Sequence, residues 1–78
     1  MENLEKIARE DAIKSFIAQS YQHLAFMKKA ESELEELEHN SDENSEKLKA
    51  NKRMEIRTHK HNYDMNVEFA TIINNINQ

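Results

Sequence analysis

His39-Asn40-Ser41-Asp42-Glu43-Asn44-Ser45 interrupts a 78-residue sequence that contains no Gly and no Pro. Asn, Ser and Asp side chains hydrogen-bond nearby backbone in competition with helix, so they collect at caps and turns. Nowhere else inside the chain do they cluster in this way. A connection is therefore expected at about residues 40–43. Ser41 or Asn44 is the expected N-cap of a helix beginning there, and Asp42, Glu43 and Glu46 suit the positive end of a helix.

Reading backward from the connection, apolar residues recur as Leu37, Leu34, Ala30, Met27, Leu24 or Tyr21, Ile17 or Phe16, Ile13, Ile7 and Leu4. Reading forward, they recur as Leu48, Met54, His61, Met65, Phe69, Ile72 and Ile76, with Asn51 and Thr58 filling the phase. Steps of three and four dominate on both sides, as on one face of a helix. Two long helices are predicted, at about residues 3–39 and 44–76, each roughly 50 Å long at 1.5 Å per residue. Hairpin turns and bulges lack their usual Gly and Pro, which argues against an all-β fold. The fold class is all-α, and the length allows one domain, residues 1–78.

Folding the chain back at Ser41 makes neighbours of residues whose numbers total about 82. Leu34 then meets Leu48, Tyr21 meets His61, Ile17 meets Met65 and Ile13 meets Phe69. Glu33 is paired with Lys49, and Glu35 with Lys47. An antiparallel helical hairpin is predicted, with its densest apolar end away from the turn. The stretch Ser15 to Ser20 leaves room for a kink or a break in the first helix.

Two helices of this size bury little surface, and small scaffolds need staples or partners. There is no Cys, hence no disulfide, thiolate metal site or cysteine nucleophile. Phe26, Ile56, Tyr63, Val67 and Ala70 lie off the main stripe; the last four form a second stripe on the second helix, and Phe26 lies level with Ile56 on the expected outer face. Exposed stripes of this kind mark interfaces. Self-association into a helical bundle is expected, with a dimer as the simplest case.

The net charge of −4 is unevenly spread, −7 over residues 1–46 and +3 over residues 47–78. Within the basic half, Arg53 and Arg57 sit level with Lys28 and Lys29. These four are the candidate anion-binding residues, suited to a phosphate ligand, a nucleotide or, less well, nucleic acid. His23 and His59 would flank the seam on the same side, without a third ligand for a metal. Paired acids such as Glu10 and Asp11 have no pocket to shift their pKa, and the serines have no Gly-rich elbow. No catalytic residue, metal or cofactor is expected.

The charged N-terminus, MENLEKIARED, carries no secretory signal, and no stretch is apolar enough to span a bilayer. A cytoplasmic protein with no membrane contact is expected. In length and general shape the chain is similar to small hairpin co-chaperones of bacterial secretion systems and to small phage-encoded regulators. The expected function is that of a non-enzymatic interaction protein (adaptor, co-chaperone, inhibitor or assembly factor). It would oligomerise and bind a protein partner through an exposed helix face. The alternative is a phosphate-ligand or nucleotide binder using the mid-hairpin basic cluster.

Overall fold

Helix formation is favoured along almost the whole chain, because no helix-breaking Gly or Pro occurs and Glu, Lys, Leu, Met and Ala are plentiful. The computed structural model describes residues 2–76. The first residue and last two of the expected domain therefore lie outside the described residues. Helix α1 spans Glu2–Leu37 and helix α2 spans Glu43–Asn75. They pack against each other as an antiparallel hairpin, with no strand among the described residues. α1 runs unbroken through Ser15 to Ser20, so the kink or break expected there is absent.

α1 stops about two residues earlier than expected. Its last turn tightens: the Glu38 N–H donates to the carbonyls of Leu34 and Glu35, and the Asn40 N–H donates to that of Leu37. Such i−3 bonds satisfy carbonyls that a helix end would otherwise leave open. The N-cap of α2 is Asp42, not Ser41 or Asn44. Its backbone is extended (φ −79°, ψ 167°), and its carboxylate accepts the Ser45 N–H at 2.7 Å. That hydrogen bond holds the Asp42 carboxyl below its usual pKa.

The cap makes the hairpin acid-sensitive in a defined direction. A carboxyl with a lowered folded pKa stabilises the fold above the ordinary carboxylate pKa of about 4. That contribution is lost as pH falls through the folded value. Glu33, held low first by its hydrogen bond to Lys52, adds in the same sense. Thermal melts followed by circular dichroism should show falling stability below about pH 4. The combined Asp42→Asn, Glu33→Gln variant should show a flatter acid limb. An unchanged limb would contradict this account of the turn.

The helices meet along an unskipped heptad. On α1 the inward positions are Ile13, Phe16, Ser20, His23, Met27, Ala30, Leu34 and Leu37; every one is buried or half-buried. On α2 they are Ser45, Lys49, Lys52, Ile56, His59, Tyr63, Asn66, Ala70 and Ile73, again all buried or half-buried. Alternating steps of three and four give a 3.5-residue repeat, the spacing that keeps one stripe of each helix facing its neighbour. The Phe16 and Phe69 rings lie 5.4 Å apart, and His23 touches His59. Level residues thus have numbers totalling about 82–85, close to the expected register.

The face of α2 is not the expected one. Leu48, Met54, Phe69, Ile72 and Ile76 are exposed, and Ile56, Tyr63 and Ala70 take the seam. The contact face is displaced by one residue, about 100° around the helix. Tyr21, expected against His61, is 65% exposed. The deepest positions explain the choice: Ala30 and Ala70 are 2% and 3% exposed, and Ser20 and Ser45 are buried as well. Helix axes approach as closely as their contact side chains permit. Ser20 lies level with Tyr63 and Ala70 with Ile13, so small residues receive large ones. Small and large side chains alternate along the seam, while Tyr21, Leu48 and Ile72 are left outside.

Candidate functional site

Polar groups inside the seam are satisfied by their neighbours. The Ser20 hydroxyl donates to the Ile17 carbonyl at 2.6 Å, and the Asn66 amide donates to the Asn62 carbonyl at 2.8 Å. Lys49 is buried; its ammonium donates to the Asn40 carbonyl at 2.7 Å and pairs with Glu46 at 3.0 Å. Among the described residues, no buried side-chain nitrogen or oxygen lacks a partner. These groups tie the hairpin together. Buried polar atoms satisfied in this way stabilise and specify a packing.

Glu33 and Glu35 do not pair with Lys49 and Lys47 as expected. Glu33 instead meets Lys52 at 2.8 Å, and Lys52 also reaches Glu55 at 3.3 Å. The Glu33 hydrogen bond is the largest cause raising the Lys52 pKa. Lys49 is engaged at the turn. Exposed pairs of this kind add little energy and mainly set register.

At mid-height the His23 and His59 Nδ1 atoms are 3.0 Å apart and the ring centroids 5.2 Å apart. The two ring radii account for nearly the whole difference, so the Nδ1 atoms face each other almost head-on. That is the geometry of an N–H···N hydrogen bond between rings of complementary tautomer. Phe26 covers the pair, its ring 5.3 Å from that of His59. Among the described residues, no three His, Cys, Asp or Glu side chains converge to hold a metal ion.

The four candidate anion-binding residues are not brought to one place. Lys28 and Lys29 are about 100° apart on α1 and fall on opposite flanks of the hairpin. Lys28 lies 3.6 Å from Glu31, and the Lys29 charge acts on Glu33. Arg53 and Arg57 are exposed on the Lys28 flank. Of the five expected interface residues, only Phe26 is exposed; Ile56, Tyr63 and Val67 are half-buried and Ala70 is buried. Ile56, Tyr63 and Ala70 line the seam rather than the outer face, whereas Val67 lies at its edge and Phe26 stays on a flank.

The fold instead exposes a set of large apolar side chains on two flanks. One flank carries Phe26, Leu48, Phe69, Ile72 and Ile76; a shallow hollow at its tip is lined by Glu33, Glu36, Leu37 and Leu48. The other carries Tyr21 beside half-buried Ile17, Leu24 and Val67. Leu4 and Ile7 are exposed near the open end. The rod is 62 Å long and 13–14 Å across in Cα positions, with a radius of gyration of 17.8 Å. A compact chain of this length has a radius of gyration of about 11.5 Å.

Among the described residues, no helix is long and apolar enough to cross a membrane. Lys49 and the Ser20–Ala30–Ser45–Ala70 set are the structurally decisive residues that hydropathy alone passes over. Their signal is present as small residues at heptad spacing. No protein-family model, curated protein or solved structure matches the chain.

Proposed function

We propose that this chain is a non-enzymatic helical interaction protein. It acts as an adaptor, co-chaperone, inhibitor or assembly factor, oligomerising and binding a protein partner through an exposed helix face. One observation carries the reading. Among the described residues, the fully buried ones are Ala, Ser, Lys and Asn, the large apolar residues of the seam are only half-buried, and nine further large apolar side chains stay 41–67% exposed. A hairpin built this way gains most when something covers its flanks, because apolar burial is the main favourable term in association.

The two flanks allow two contacts at once, with the Tyr21 flank available to a protein partner. The test uses the full chain as bait, beside a Tyr21→Ser, Ile7→Ser variant changed only at exposed positions. Circular dichroism should show equal helicity for both baits. The parent should retain a saturable protein partner, and the variant should lose at least tenfold in affinity. Equal retention would move the partner off this flank. A chain that associates with no protein, itself included, would refute the reading.

A further inference from the structure

We infer that the Phe69 flank is covered by a second copy of this chain, α2 of each copy lying on α1 of the other with both turns at the same end. The inference rests on the reading of the chain as an interaction protein and names the occupant of one flank. Three features of that flank point to a copy of itself.

The first is area. A folded chain of 9.3 kDa ordinarily exposes about 5,000 Å² of surface. This hairpin exposes 6154 Å², an excess of roughly 1,200 Å², whereas a stable interface removes about 800 Å² from each partner. The surplus is of the size that a dimer needs.

The second is shape. On this flank α1 presents Ala8, Ala12 and Ser15, and α2 presents Phe69 and Ile72, with Ile76 following as its C-cap. The contacts of Phe69 with Phe16, of Phe26 with His59 and of Glu33 with Lys52 place both sets on one side of the rod. A two-fold axis along the rod sets each copy's large residues over the other's small ones. Ile76 falls over Ala8, Ile72 over Ala12 and Phe69 over Ser15. An isologous interface requires this self-complementarity.

The third is charge. No charged residue occupies the heptad positions of this flank on α1 from Ala12 to Phe26 or on α2 from Thr58 to Ile72; charges return at the open end, where Ile76 borders a hollow lined by Lys6, Arg9 and Glu10. Nearer the turn the same axis brings Glu55 of α2 level with Lys29 of α1, opposite charges that fix register.

The absence of native Cys makes the test clean. Gln19→Cys and Met65→Cys chains, which the arrangement places face to face across the axis, are prepared separately and then mixed under mild oxidation. A mixed disulfide is expected, with little of either self-linked product. Sedimentation of the unmodified chain should give twice 9.3 kDa, and Phe69→Glu should raise the dissociation constant at least tenfold. Self-linked products in place of the mixed one would overturn the arrangement. A 9.3 kDa mass at every concentration would overturn the second copy as occupant. If the full-chain bait still retained another protein, the broader reading would stand and only this inference would fall.

Discussion

Leucine at position 70 is expected to destabilise the hairpin by about 1–3 kcal/mol, the usual cost of forcing extra methylenes into a closed contact. Ala70 is 3% exposed and lies level with Ile13 across the seam. Larger side chains there must either leave their rotamer wells or push the helices apart. Separation is costly over more than one rung, because Ala30 and Ser20 share the same close approach. In a chain of this size, 1 kcal/mol corresponds to roughly 4–8 °C in melting temperature. Ala50→Leu, at an exposed position of the same helix, should change stability by no more than about 0.5 kcal/mol. Both variants give up the same small margin of helix propensity and add the same side chain, so their difference isolates the seam. Equal melting temperatures would mean that Ala70 is not at the contact.

The second large effect is expected at Lys49. Its ammonium is buried and binds the Asn40 carbonyl at 2.7 Å and Glu46 at 3.0 Å. Asn40 lies in the connection just after α1, so this single side chain ties the start of α2 back to the end of α1. Hydrogen bonds to charged groups contribute about 1.5–3 kcal/mol. Lys49→Met keeps most of the stem and removes the charge. It should lower stability by about 1.5–3 kcal/mol and loosen the connection first, as seen by faster amide exchange at residues 38–45. The opposing effect is the desolvation of the ammonium, which apolar replacements sometimes recover. A neutral or stabilising Lys49→Met would show that desolvation dominates and that the tie is incidental.

Much of the architecture is legible from residue pattern. The cluster His39 to Ser45 locates the turn because polar side chains there compete with helix, and steps of three and four define two helices. Folding at Ser41 brings His23 level with His59, as the 3.0 Å contact bears out. The face of α2 is not legible from hydropathy. Leu48, Met65, Phe69, Ile72 and Ile76 lie on one heptad phase, and Ser45, Lys49, Ile56, Tyr63 and Ala70 lie on the phase one residue later. The first phase has more apolar area. The second permits closer axes, and closeness is set by the smallest residues, whose transfer energies are modest. Ala70 does share a stripe with Ile56 and Tyr63, but the stripe faces inward.

The N-cap is hard to place for a related reason. Ser41, Asp42 and Asn44 are all competent caps, and the choice among them depends on where α2 must begin for Lys49 to reach Asn40. The basic residues Lys28, Lys29, Arg53 and Arg57 are level along the rod but separated around it. Level is fixed by chain length, whereas direction around the helix is fixed by the contact face. Knowing the register without the face gives half the position of every side chain.

The most direct test of the seam through His23, His59, Tyr63 and Ala70 is a set of nuclear Overhauser contacts between aromatic rings in the unmodified chain. Contacts of His23 with His59 and of Phe16 with Phe69, and none between Tyr21 and His61, are the expected result. A Tyr21–His61 contact with His23 and His59 far apart would place the bulky stripe inside and contradict the account.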